Sequence, residues 1–155
     1  MSSITLRFLA EPNTVNFGGK VHGGTVMKWI DEAGYACATR WAKLYCVTVS
    51  VGTIRFEKPI MIGDLVEVEA RLAYTGTTSM NIAVEVRASD MKTGNMRRIS
   101  ECLVVFVAVD PAGKTIAVQP WRPETPSDIA LAQYVKTHLD QARPAKAANP
   151  VNSAP

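Results

Sequence analysis

Two side chains able to do chemistry, the amide of Asn16 and the carboxylate of Asp31, bracket the run Asn16-Phe17-Gly18-Gly19-Lys20-Val21-His22-Gly23-Gly24, from which a helix takes off. Backbone N–H groups in the first turn of a helix lack intrahelical acceptors and can hold a developing negative charge. A carboxylate two turns along the same helix can activate water. Helix starts ordinarily recruit Ser, Asp or Asn as N-cap, whereas His22-Gly23-Gly24 leaves bare backbone where a ligand would approach most closely. The N–H of Gly24, with that of Gly23, is therefore expected to stay free for a ligand, the alternative being a tight loop capped by Thr25. Standing alone, Asn16 would close an Asx-turn, and Asp31, beside Lys28 and Glu32, would be a solvated helix-face residue.

The elements that must position these groups follow from periodicity. From Gly24 to about Trp41 there is no proline. Met27, Ile30, Gly34, Cys37 and Trp41 recur at three and four, and Lys28, Asp31, Glu32, Tyr35 and Thr39 share another face. With Ala33, Ala36 and Ala38 between them, this helix is expected to be largely enclosed. A short strand, Ile4 to Leu9, precedes it, broken by Pro12-Asn13. After it the period drops to two. Val47, Val49 and Val51 alternate with polar or small residues. Val66, Val68, Ala70, Leu72 and Tyr74 oppose a wet face of Glu67, Glu69 and Arg71. Met80, Ile82, Val84, Val86 and Ala88 point inward, with Asn81, Glu85 and Arg87 outward. Thr75-Gly76-Thr77-Thr78 joins those two strands as a hairpin, Asp90 to Asn95 makes a second turn, and Arg97 to Val109 forms a last strand. One long helix with about five antiparallel strands is an α+β solution, a sheet curled around the helix its inner face buries. A C-terminal helix is predicted over 126–143, capped by Ser127, carrying Leu131, Ala132, Val135 and Leu139 on one stripe and stopped by Pro144. The Ala/Pro/Asn-rich residues 144–155 are expected to be a disordered tail.

Composition narrows the function classes. At 155 residues and 47% hydrophobic content the chain suits one domain, residues 1–125, with its own core. Seventeen Lys and Arg against fourteen Asp and Glu give a net charge of +3, too little to argue for nucleic acid. Cys37, Cys46 and Cys102 are odd in number and lie among apolar residues, which reads as buried reduced thiols. The N-terminus lacks a signal-peptide pattern and the apolar run Leu103 to Val109 is too short to cross a bilayer, so a cytoplasmic location without a membrane partner is expected. No spacing suggests a metal site.

A set of motifs carries a family resemblance: Asn16, Gly19-Lys20-Val21-His22-Gly23-Gly24, Asp31-Glu32-Ala33, Phe56 with Pro59 and Gly63-Asp64, Thr75-Gly76-Thr77-Thr78-Ser79, and Phe106-Val107-Ala108-Val109-Asp110. In this order they resemble hotdog-fold acyl-CoA thioesterases, the class that includes the bacterial YciA-type and mammalian brain-type acyl-CoA hydrolases, over roughly residues 5 to 112. The resemblance implies a sheet of five or six strands wrapped around a central helix and hydrolysis of acyl-CoA to a free acid and coenzyme A, with no cofactor. It implies a homodimer, assembled further as a trimer of dimers, in which Asn16 of one subunit meets Asp31 of the other.

By the same resemblance Asn16 and Asp31 are the pair that carries hydrolysis; by residue chemistry Asp31 is expected to act as general base or nucleophile, Asn16 to orient water or thioester, and the N–H of Gly24, with that of Gly23, to polarise the carbonyl. A coenzyme A thiol, with a pKa of about 8.5, leaves without a strong acid. Thr77, Thr78 and Ser79 resemble the family's contact with the pantetheine and nucleotide end. Arg55, Lys58, Arg87, Arg97 and Arg98 are candidates for its phosphates by charge. Gly19-Lys20 departs from the Gly-Asp of many bacterial members, and His22 stands where those often have an aromatic. Two other readings remain: a hotdog enoyl-CoA hydratase using His22 as base, and a non-catalytic acyl-CoA-binding sensor.

Overall fold

The computed structural model of the chain describes residues 2–147. In chain order the elements are β1 (Ser3–Leu9), a 3-10 turn (Pro12–Thr14), α1 (Gly23–Ala42), β2 (Cys46–Val51), β3 (Leu65–Thr75), β4 (Ser79–Ser89), β5 (Met96–Val109), β6 (Thr115–Ile116) and α2 (Pro126–Ala147). The strands form one antiparallel sheet in the order β1-β3-β4-β5-β2, and the two-residue β6 pairs with the end of β5. The fold is α+β, a curved sheet of six strands around α1.

The alternation of β3 and β4 decides which face α1 covers. Val66, Val68, Ala70 and Leu72 and, one strand over, Met80, Ile82, Val84, Val86 and Ala88 are all buried on the helix side. Against them α1 sets Val26, Ile30, Ala33, Gly34, Cys37 and Ala38. The closest approach is at Gly34: a side chain there would start 2.7 Å from the ring of Phe106, which is itself fully buried. Helix and sheet are this close because residue 34 has no Cβ.

Full enclosure of α1 is not what the fold delivers. Its other face, with Met27, Asp31 and Tyr35, is exposed in the single subunit, so Met27 leaves the expected inner stripe and Val26 takes its place. Ala33 and Ala38 lie on the buried face, so the larger Met27 and Tyr35 are what this side leaves in water.

The outer face departs from expectation in the opposite sense. The wet face of β3 is partly roofed by α2, whose Val135 is fully buried. Charge on this face is paired: Arg7 with Glu67, Arg87 with Glu69 and Glu85, and Arg71 with Asp128 of α2. The guanidinium of Arg71, by its hydrogen bond, holds the Asp128 carboxyl below the usual carboxylate range. The α2 cap is also not Ser127. Thr125 receives the Asp128 N–H at its hydroxyl and the Ile129 N–H at its carbonyl, Pro126 occupies the first turn, and the Ser127 hydroxyl accepts from Arg71 instead. The helix also runs on to Ala147, through the Pro144 expected to stop it. The expected tail beyond residue 147 lies outside the described residues. Among the described residues no helix is long and apolar enough to cross a membrane.

Because the Phe106 ring has nowhere to go, Gly34→Ala is expected to destabilise the fold by about 1–3 kcal/mol in urea unfolding, the range for overpacking a core. Pairing it with Phe106→Leu should recover part of the loss. Unchanged stability of Gly34→Ala would show that helix and sheet can move apart freely.

Candidate active site

The loop before α1 is built around the side chain of Asn16. Its Oδ1 accepts from the N–H of Gly18 at 2.9 Å and of Lys20 at 3.2 Å, while its backbone N–H donates to the Lys20 carbonyl and its carbonyl accepts from Gly19. Gly19 closes the turn at φ +78°, a conformation other residues enter with strain. Two N–H donors facing one atom identify that atom as the oxygen. The Asx-turn and the chemical role are therefore not rivals: the oxygen makes the turn and the Nδ2 amide, with no acceptor among the described residues, remains to donate.

His22 then ends the loop at φ −58° and ψ 138°, its N–H donated to the Thr14 carbonyl and its own carbonyl accepting from Val26. No side chain caps α1, Thr25 included. The N–H groups of Gly23 and Gly24 thus have no acceptor among the described residues. The two glycines differ in what surrounds them. A Cβ at Gly23 would lie 3.3 Å from the Phe56 ring, whereas one at Gly24 would meet nothing within 4 Å. Gly23, Asn16, Phe56, Lys58 and Lys20 line one groove of about 300 Å³, with Ile99 among its apolar walls. The fold thus brings Asn16 and the helix start together, with two lysines beside them.

Asp31 is not part of this groove. It sits exposed two turns up α1, where the Thr48 hydroxyl donates to its Oδ1 at 2.6 Å. Thr48 lies opposite Phe106 in the β2–β5 register and so faces the helix; the register then skips Val49, a bulge that marks where β2 is re-aimed. This threonine escaped the sequence reading, which treated Val47, Val49 and Val51 as the informative half of the strand. Its signal was a hydroxyl at the alternate position, meaningful only once the face was known.

Helix geometry separates the two halves. Gly24 and Asp31 are on the same stripe, but seven residues rise about 10 Å, and first-turn N–H groups point away from Asp31. A carbonyl oxygen held there at about 3 Å would put its carbon out of reach of a nucleophile carried by the Asp31 of the same helix.

The cations expected to meet phosphate divide into paired and unpaired. Arg87 is held between Glu69 and Glu85; burial works against its charge, but those bonds outweigh it and keep its pKa above the ordinary value. Arg97 donates to buried Asp64 and to the Pro59 carbonyl. Arg98 lies near Glu57 and Glu101. Neither Arg55 nor Lys58 has an acidic partner among the described residues, and only Lys58 lines the groove. Thr77, Thr78 and Ser79 sit at the other end of the sheet: Ser79 pairs with Val107 and Ala88 with Arg97, about 30 Å apart along β5. Within one subunit the hairpin hydroxyls and the arginines do not converge.

Neither histidine completes a nucleophile–base pair: His22 is exposed at the head of α1 and His138 lies on α2. Burial pushes the Cys37 thiol up to about 11, against smaller opposing effects of Leu72 and Arg40, and burial with Glu101 nearby pushes Cys102 to about 11.

The family model of the thioesterase superfamily matches residues 18–95. The acyl-CoA thioester hydrolase YciA of Salmonella typhimurium is 37% identical over 114 residues, 72% of this chain and 86% of that protein. Among solved structures, an apo-hexameric acyl-CoA thioesterase superposes with a TM-score of 0.89 at 28% identity, covering 95% of this chain and 94% of its own. The acyl-CoA hydrolase of Staphylococcus aureus, solved with butyryl coenzyme A, coenzyme A and coenzyme A disulfide, gives 0.84 at 26%, covering 93% and 88%. That hydrolase has also been solved with alanine at an asparagine, at an aspartate fifteen positions on, and at a threonine seventeen positions beyond the aspartate. Asn16, Asp31 and Thr48 have the same two spacings.

Since the thiolate is the reactive form, thiols raised to about 11 stay protonated through pH 6–9, and the folded protein should label with a thiol-specific disulfide reagent far more slowly than the urea-unfolded chain. The rate should climb only as pH approaches the raised values. Rapid labelling of Cys37 or Cys102 at pH 7 would mean that the core opens.

Proposed function

The chain belongs to the thioesterase superfamily as an acyl-CoA hydrolase, and we propose that it cleaves acyl-CoA with half of the site from each of two subunits. The observation that carries this is the division along α1. Free donors and the Asn16 amide gather at the helix start, while the carboxylate, oriented by Thr48, stands about 10 Å further on with its other oxygen open.

The thioester carbonyl oxygen accepts from the N–H of Gly24, with Gly23 beside it. Charge that builds on that oxygen meets donors already in place, at the positive end of a helix. The partner subunit's Asp31 supplies its free oxygen either to deprotonate a water or to attack the acyl carbon; both need the same placement, opposite the Asn16 Nδ2. Water's oxygen ends in the carboxylic acid, and the C–S electrons leave with coenzyme A as a thiolate. Lys58 and Lys20, lining the groove, face the anionic end of the substrate. The matching spacings of Asn16, Asp31 and Thr48 with the three positions in the Staphylococcus aureus hydrolase support this choice of residues. An assembly of dimers into a hexamer, as in the apo-hexameric relative, is part of the same proposal.

Asp31→Asn is expected to lower kcat by about 10²–10⁴-fold with the fold intact, and Asn16→Ala to be similarly impaired. Refolding the two variants together in equal amounts should restore about a quarter of wild-type rate, since half of random dimers are hybrids and each hybrid holds one intact site. Thiol release from acyl-CoA measures it. No recovery on mixing would place the whole site in one subunit.

Gly24 offers a separation of stability from activity. Its Cβ position is empty in its own chain, so Gly24→Ala should leave the melting temperature unchanged or raised, by up to about 1 kcal/mol in stability. The same methyl should cut kcat/KM at least about tenfold by standing where the carbonyl approaches. Full activity would remove Gly24 from the site.

A further inference from the structure

Phe17 is the most exposed large apolar residue of the subunit, at 112% relative exposure, more than in an extended reference chain. It is not on a loose segment. The turn that carries it is tied by Gly18 and Lys20 donating to the Asn16 side chain and by backbone bonds of Asn16 to Lys20 and Gly19. A rigid loop therefore holds an aromatic ring out in water beside the Asn16 amide.

Around Asp31 lies a surface suited to such a ring. Met27 and Tyr35 are four residues to either side on the same helix face, 48% and 39% exposed. Tyr45 packs edge-on against Tyr35 with ring centroids 6.3 Å apart. Val49, beside the Thr48 that holds Asp31, is 58% exposed on the edge strand. These apolar side chains form a partial collar that flanks the carboxylate with which Asn16 has to meet, the exposed Lys28–Glu32 pair lying beside it on the same helix.

We propose that Phe17 is a positioning residue that inserts into the collar around the partner subunit's Asp31 and so seats Asn16 opposite that carboxylate. The proposal rests on the two-subunit reading above. Once Asn16 faces the partner subunit's Asp31, Phe17, one Cα step of about 3.8 Å away, comes within reach of that collar. The symmetry of the pair makes the contact twice, so two rings and two collars leave water together. A second copy of this chain, rather than the substrate, is the occupant because the apolar side chains flank the Asp31 carboxylate, whereas Lys58 and Lys20, the cations suited to coenzyme A that have no acidic partner among the described residues, line the groove that holds Gly23 and not the surface around Asp31.

The test compares Phe17→Ala and Phe17→Leu with the wild type in two measurements. One is the rate of subunit exchange between two differently tagged populations, followed by native mass spectrometry. The other is kcat and KM for acyl-CoA. Phe17→Ala should exchange at least about tenfold faster, as truncation of a central interface aromatic does, and lose kcat with little change in KM. Phe17→Leu should recover most of both. Unchanged exchange with a raised KM would overturn the proposal by placing Phe17 against coenzyme A; unchanged exchange and unchanged kinetics would overturn it by leaving the ring without a partner. Because Phe17 is fully exposed in its own subunit, these variants are expected to fold as the wild type does, which thermal unfolding verifies. The Asn16→Ala and Asp31→Asn mixing experiment, run with Phe17 intact, judges the two-subunit site separately: its success with unchanged exchange in Phe17→Ala sinks the anchor alone.

Discussion

The N–H groups in the first turn of α1 point away from the body of the helix, and Asp31, the carboxylate on the same stripe as Gly24, lies two turns in the opposite direction. That polarity is fixed by hydrogen bonding and does not relax with side-chain motion. It decides what a single subunit can hold: donors and an amide at one level, an oriented carboxylate at another. The sheet then fixes α1 in place. Gly34 lets the helix settle onto the Phe106 ring, and the register that puts Phe106 inward also puts Thr48 inward, within hydrogen-bond reach of Asp31. One close approach thus sets both the packing of the core and the orientation of the carboxylate.

An uncapped helix start is a cost the fold tolerates. Replacing a good N-cap commonly loses about 1 kcal/mol, and here neither His22 nor Thr25 supplies a cap. The surrounding backbone compensates by fixing the entry to the helix rather than its first donors. His22 is tied to Thr14, Val21 to Ile60, and the Asn16 turn closes the loop behind them. The glycine N–H groups are therefore held in position while left without partners, the condition under which donors stabilise developing charge without reorganising.

The periodic elements were legible because burial repeats. The alternations of β3 and β4 and the three–four spacing along α1 each reflect one face against one core, and the structure keeps them except at Met27, replaced on the buried face by Val26, and at Tyr74, which follows an irregularity in the β3–β4 register and is only half-buried. Non-periodic contacts were not legible. The Asp31–Thr48 bond depends on register across seventeen residues of sequence, and the bulge at Val49 leaves no mark in composition. The pairing of Arg87 and Arg97 with carboxylates joins residues up to 33 positions apart, so charge alone counted them as free. The outer face was read as wet because Glu67, Glu69 and Arg71 alternate outward, and that pattern cannot tell water from a helix that brings its own Asp128. At the site, Asn16, Gly24 and Asp31 were legible as residue types in order, and the resemblance gave their pairing. The Asx-turn at Asn16 was legible only as a rival to the chemical role; that the oxygen closes the turn while the nitrogen stays free needed the loop's hydrogen bonds.

That last point bears on why the amide must be an amide. An aspartate at position 16 would keep an oxygen to accept from Gly18 and Lys20, and so would keep the turn, yet would present a second oxygen where the Nδ2 donor now stands. If the partner subunit's Asp31 comes to that place, two carboxylates would face one another beside the helix start, and one would be driven toward protonation. Asparagine suits both demands with one side chain: its oxygen satisfies the loop it belongs to, and its nitrogen is left as a donor for the carboxylate or water of the proposed site. The turn chemistry and the proposed reaction chemistry thus constrain the same residue from opposite ends of its amide, and the loop's own hydrogen bonds fix which end faces outward.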